Sequence, residues 1–239
     1  MIGLGTIINT LGIVTGGLFG HLFGKILKER HRASLITACG ISVIFIGIAG
    51  AMQGMLTVNG SIITSDKAML VSICLVLGTL IGELINIEGI FEKFGEWLKS
   101  KTGNEKDNSF VNAFVTATLT VCIGAMAVVG AIQDGISGDY SILATKSLLD
   151  FVVIMIMTSS LGKGTAFSAI PVLILEGGIT LFARFLSPII TELAMDYLSL
   201  IGSILIFCVG LNLIRDKKIR VANMLPSLIL AVIAAFIKF

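Results

Sequence analysis

The sequence predicts an all-α polytopic membrane protein, a single integral membrane domain over 1–239 with about eight transmembrane helices. Three observations predict it. Hydrophobic residues make up 55% of the chain and charged residues only 13%, with a mean hydropathy of +1.01, too apolar for a soluble domain of 239 residues. The charges collect in short clusters separated by apolar blocks, each near the roughly 20 residues that a hydrocarbon core of about 30 Å requires. The basic residues fall almost entirely on alternate loops, as the positive-inside rule demands. A net charge of +2 is too small to point to nucleic acid.

Cutting the chain at its polar clusters places spans at 3–24, 34–56, 68–88, 110–132, 143–161, 166–186, 194–214 and 221–238. With both termini outside, the outer side keeps only Lys67, Lys146, Arg184 and Lys238, and the other thirteen of the seventeen basic residues lie inside. An error of one span would scatter them over both sides.

Span one carries Gly12, Gly16, Gly20 and Gly24 at four-residue spacing, a small-residue face that lets another backbone approach closely and also suits a homo-oligomer. Its basic residues follow the apolar run, the wrong order for a cleaved signal peptide, so the segment is expected to stay as a span. His21 and His31 flank the basic KILKERHR loop at 25–32 without a second ligand at a metal-like spacing, and no metal is expected. Cys39, Cys74, Cys122 and Cys208 lie in four separate apolar runs and are expected to be buried free thiols. After span three, Ile87, Ile90, Phe91, Phe94, Trp97 and Leu98 recur at helical spacing between Glu88, Glu92, Lys93 and Glu96, which predicts an amphipathic helix on the inner membrane surface. The polar run 99–108 is the one linker. The domain therefore divides into 1–88, a cytoplasmic amphipathic segment and linker at 89–108, a central helix pair at 109–162, and 163–239.

Three pairs of segments echo one another in the same order. GTIINTLGIVTGG (5–17) matches GTAFSAIPVLILEGG (164–178), GISVIFIGIAG (40–50) matches GSILIFCVGLN (202–212), and AMLVSICL (68–75) matches NMLPSLIL (223–230). GSIITSDKAML (60–70) and DYSILATKSLL (139–149) form a weaker fourth pair. The second unit starts after five spans, an odd number, so it enters the membrane from the opposite side. That is an inverted-topology repeat, from which many secondary transporters build a midplane site.

Ionisable groups in apolar runs need a reason. Glu176 sits near the middle of span six, and a lone carboxylate in hydrocarbon costs about 3 kcal/mol or more, so it should face the protein interior. Pro171, Gly177 and Gly178 beside it, and Gly16 and Gly17 in the matching first unit, are candidate helix breaks. A structural ion pair of Glu176 with Lys163 or Arg184 is the alternative. Lys146 and Asp150 are four apart on one face of span five and can neutralise one another. Asp134 and Asp139 lie in the outer stretch QDGISGDYS (133–141), which reads equally as a cation-collecting mouth or a solvated turn. Asn9, Gln53 and Asn212 add amides within or at the ends of spans one, two and seven, able to line a solute path or to bond across helices. No enzyme signature is present; GKGT at 162–165 lacks the phosphate loop that would precede it. No cofactor is expected.

The stretches GTIINTLGIVTGGLFG, AIQDGISGDYSILATKSLLD and GKGTAFSAIPVLILEGGITLFA give the chain its resemblance to a bacterial multi-pass membrane family, domain of unknown function 554, over nearly its whole length. The resemblance implies a bacterial cytoplasmic membrane protein and carries no functional residue with it. It also implies that glutamine often stands where this chain has Glu176, which favours a polar lining over proton coupling. The expected function is a secondary transporter or channel for a small ion or polar solute, with the bilayer and that solute as partners. The alternative is a membrane helper or sensor acting through a partner docked on the amphipathic segment.

Overall fold

A computed structural model describes residues 2–26, 28–59, 62–122, 125–186, 191–215 and 219–237. Residues Lys217, Lys218 and Lys238 and the side chains of Lys25, Arg32, Cys39 and Arg184, on which part of the sequence reading leaned, lie outside them.

Among the described residues the fold is all-α apart from one hairpin. Its helices are α1 (Leu4–Ile26), α2 (Glu29–Met55), α3 (Ala68–Ile85), α4 (Ile87–Lys101), α5 (Phe110–Cys122), α6 (Ala125–Ser137), α7 (Ser141–Leu161), α8 (Ala169–Leu186), α9 (Glu192–Ile214) and α10 (Pro226–Ala234). Short 3₁₀ turns, Lys163–Ser168 and Val221–Met224, lead into α8 and α10. Six helical stretches are long and apolar enough to cross a membrane, and α5 with α6 makes a seventh if that pair, bent by 61°, is one span. The last expected span is shorter than drawn, a 14-residue apolar segment, Val221–Ala234.

Large apolar side chains line the outside of α1 (Ile7, Leu11, Leu18, Leu22), while its glycines face inward. Helices in lipid gain nothing from hiding leucine and gain contact by approaching through small residues. The glycine face docks on α7 in a regular ladder: Gly12 meets Ser147, Gly16 meets Phe151, Gly20 meets Met155 and Gly24 meets Ser159. A Cβ on Gly16 would stand 2.5 Å from the Phe151 carbonyl oxygen, so the approach depends on glycine. Numbers that rise together mean that α1 and α7 run parallel. The 3₁₀ turn and α8 likewise run parallel to α5 and α6, with Gly164 against Phe110 and Gly135 against Thr180. The other pairs are antiparallel. α1 meets α8 through Thr6 and Thr180 and through Asn9 and Glu176; α2 meets α9 through Gly47 and Phe207 and through Gly54 and Leu200; α3 meets the final segment through Gly78 and Ser227 and through Gly82 and Asn223. These are the directions of consecutive crossings that alternate.

Three local expectations change. The helix breaks are displaced: α1 runs through Gly16 and Gly17, and α8 through Pro171, Gly177 and Gly178. Pro171 lies in the first turn of α8, where its missing N–H costs no helical bond. The interruption sits ahead of it, at Lys163–Ser168, and a second one separates α5 from α6. Strands β1 (Leu56–Asn59) and β2 (Ile62–Ser65) pair antiparallel in what was drawn as a plain loop, with Leu56 opposite Ser65 and Asn59 opposite Ile62. The Asn59–Gly60 dipeptide between two β-prone runs is a strong hairpin signal. The amphipathic segment is α4, which turns Gly95 and Leu98 inward and sets Phe94 against Phe114 of α5 in a tilted ring pair, leaving Trp97 exposed and stacked on Phe94.

A buried polar cluster among α1, α7 and α8

Asn9, Lys146, Asp150 and Glu176 come together inside the helix bundle, each at most 8% exposed. Three helices deliver them. Asn9 and Lys146 lie five residues into α1 and α7, and Glu176 ten residues before the end of α8. At 1.5 Å of rise per residue they are about 8 to 15 Å inside the bundle. The glycine ladder aligns α1 with α7 at the depth of Asn9, and the Ser147 hydroxyl donates to the Ile8 carbonyl at 2.9 Å to fix that level.

Lys146 Nζ donates to Asp150 Oδ2 one turn along α7, and to the carbonyl oxygen of Val121 at 2.8 Å. Val121 lies in the last turn of α5, where helix carbonyls lack partners in their own helix. A cation there also meets the negative end of the helix dipole. Lys146 Nζ lies 3.6 Å from Glu176 Oε1, which accepts a 2.8 Å hydrogen bond from Asn9 Nδ2. Glu176 therefore pairs with Lys146 and, among the described residues, not with Lys163; the other alternative, the Arg184 side chain, lies outside them.

The cluster is layered. One turn toward the start of α1, the hydroxyls of Thr6 and Thr180 meet at 3.2 Å, and Thr180 donates to the Ala131 carbonyl at 3.2 Å. Beyond them, Asp134 at the end of α6 accepts the backbone N–H of Gly3 at 3.1 Å and of Gly5 at 2.9 Å. A fully buried carboxylate thus caps the first turn of α1, where the helix dipole favours an anion. In the other direction, one turn from Asn9, Asp150 and Glu176, stand Ile13, Ile154 and Val172, each fully buried in one apolar cluster with Ala117, Met157 and Ala169. Past that layer, Thr158, which shares a hydroxyl contact with Thr165, lines a polar cavity of about 330 Å³ with His21, Asp107, Ser109 and Lys163. The charged cluster is thus bounded on one side by the Thr6–Thr180 hydroxyl pair and on the other by an apolar layer one to two turns thick.

The remaining sequence candidates lie apart. Asp139 is exposed and accepts the Ser141 N–H at 3.0 Å, and bonds from Ser141 hold its carboxyl below the ordinary carboxylate value. Gln53 is exposed on α2. Asn212 clamps the chain beyond α9, donating to the Ile219 carbonyl and accepting its N–H, both at 2.7 Å. Thr6, Thr118, Thr158, Thr165 and Thr180 escaped the sequence reading. Threonines in membrane helices mostly bond their own preceding turn, as Thr10 does to the Thr6 carbonyl, so nothing in the sequence separates those that face the cluster.

The sequence matches the family described as "Protein of unknown function (DUF554)" over residues 4–236. It is 29% identical over 233 residues to an uncharacterized membrane protein, YdfK, of Bacillus subtilis, covering 98% of this chain and 96% of that one. It is 31% identical over 236 residues to an uncharacterized protein, YqgA, of Escherichia coli, covering 95% and 94%. No solved structure matches.

Proposed function

The chain belongs to the DUF554 family, and on that footing we propose that this multi-pass membrane protein is a secondary transporter for a small ion or polar solute, bound at the Asn9–Lys146–Asp150–Glu176 cluster. The observation that carries the reading is the cluster itself. Three ionisable groups from two helices meet inside an apolar bundle, and such groups are retained in membranes mainly where a solute or ion passes.

Two further features support a transporter over an open channel. The cluster is sealed by an apolar layer on one side and by paired hydroxyls on the other, as an occluded state requires. The packing also has the pattern of an inverted repeat. Exchanging α1 with α8, α2 with α9, α3 with the final segment, and α5–α6 with α7 maps the antiparallel pairs α1·α8, α2·α9 and α3·α10 onto themselves. The same exchange maps the parallel pair α1·α7 onto α6·α8. The packing of α9 on α10 has no counterpart of similar extent between α2 and α3. The distribution of basic residues supports both termini outside, and the bacterial relatives support a cytoplasmic membrane.

The test is flux in proteoliposomes holding the purified chain, screened with radiolabelled inorganic ions and small polar solutes. A transporter gives saturable counterflow that Glu176→Gln removes. Conduction without exchange would make the protein a channel, and no flux of any probe would sink the reading.

A further inference from the structure

Inside the cluster the hydrogen bonds and the charges both fail to balance. Lys146 Nζ donates to Val121 O and Asp150 Oδ2 and pairs with Glu176 Oε1 at 3.6 Å, so its charge faces three acceptors. Glu176 Oε2 and Asn9 Oδ1 are buried with no donor, on side chains that are 1% and 0% exposed. Both are acceptors, and both belong to residues joined by a hydrogen bond between α1 and α8. The charges sum to one excess negative, since Lys146 stands against Asp150 and Glu176. Among the described residues, the packed neighbours supply no second cation. α6 contributes Asp134, whose two oxygens serve Gly3 and Gly5, and α5 contributes the Cys122 thiol and the partnerless hydroxyl of Thr118, one turn before Val121.

Two free oxygen acceptors with one uncompensated negative charge select against anions, which would face two carboxylates. They also select against divalent cations, which would leave a positive excess in a medium that punishes it. Water can meet the acceptors but not the charge, and a proton on Glu176 is the competing occupant, which a metal-cation titration at constant pH separates from a metal ion. We infer that Glu176 Oε2 and Asn9 Oδ1 are ligands for a monovalent metal cation of the sodium class, which prefers hard carboxylate and amide oxygens. The C-terminal end of a broken helix close by, at α5, is the kind of element that membrane transporters turn toward such ions. This rests on the transport reading only for its role: the cation is there the cargo or the coupling ion.

The experiment is thermal unfolding of the detergent-purified full chain at constant pH and ionic strength, with sodium chloride replacing choline chloride stepwise, and lithium and potassium chlorides in parallel. The expected result is a saturable rise in Tm that discriminates among the metal cations and is absent in choline. Glu176→Gln, which is isosteric, and Asn9→Ala both lose it, and Glu83→Gln, which removes a carboxylate paired with Arg220 at the surface, keeps it. Equal Tm in all four salts overturns the inference, and so does a sodium response that Glu176→Gln and Asn9→Ala retain. Solute counterflow in proteoliposomes with no cation response removes the cation and leaves the transporter standing. A cation response without any flux keeps the site and removes the transporter.

Discussion

Replacing Lys146 by Met tests the charge balance of the cluster. The substitution keeps the length and apolar stem of the side chain and deletes its ammonium. Asp150 then loses its ion pair, Glu176 loses the one cation within 4 Å among the described residues, and the Val121 carbonyl loses its donor. Removing one partner of a buried pair costs about 3–5 kcal/mol, because the other charge stays behind uncompensated. Adding Asp150→Asn returns the cluster to its original net charge of one negative. The second substitution should therefore recover much of the loss, leaving the two non-additive by about 2–3 kcal/mol. For a chain of this length, roughly 2–4 °C of Tm correspond to each kcal/mol. Lys146→Met should then lower Tm by roughly 6–20 °C. Thermal unfolding followed by intrinsic fluorescence of Trp97, or by light scattering, reads both variants and their combination. A Lys146→Met protein that melts within about 2 °C of wild type would refute the shared charge balance. So would an Asp150→Asn substitution that adds its own loss instead of restoring the first.

Two other perturbations follow from the same geometry. Gly16→Ala drives a Cβ to 2.5 Å from the Phe151 carbonyl oxygen and should cost about 1–3 kcal/mol, whereas Gly178→Ala meets nothing within 4 Å and should be neutral or gain up to about 1 kcal/mol of helix propensity; equal Tm for both variants would contradict the α1–α7 approach. Glu88, in the first turn of the amphipathic helix, has its carboxyl pushed above its ordinary value by burial, with Arg220 pulling the other way and Glu92 adding to the rise. The folded state then binds this proton more tightly than the unfolded chain does, so the stability it contributes is present below the ordinary carboxylate value and is lost as pH rises through the raised one. Tm measured across that window should fall with rising pH in wild type and flatten in Glu88→Gln, and an unchanged slope in the variant would count against it.

How much of this was legible in the sequence depends on the range of the interaction. The apolar blocks, the glycine face of α1 and the inward demand of Glu176 are local properties of one helix in lipid, and each is where the pattern put it. The i, i+4 pairing of Lys146 with Asp150 is also local, and it forms. The partner of Glu176 is not local: Lys146 reaches it only because the glycine ladder sets α7 against α1 while α8 crosses on the other side. Asp134 reads as a mouth residue because its sequence neighbours are Gly and Ser, yet 129 residues away it meets the N–H of Gly5. The hairpin at 56–65 was legible and overlooked, since Asn59–Gly60 announces it. The bend between α5 and α6 has no proline to mark it. What it does, leaving the Val121 carbonyl for Lys146, is visible only in three dimensions.

The claim at the centre is that the space around Asn9 and Glu176 lies on a path reachable from both faces of the membrane. A single cysteine, Asn9→Cys, in a chain whose four native cysteines are changed to alanine, can be challenged with a small membrane-impermeant cationic thiol reagent in right-side-out and in inverted vesicles. Alternating access predicts modification from both faces. Modification from neither face until the protein is unfolded would contradict the account and make the cluster a structural ion pair in a closed core.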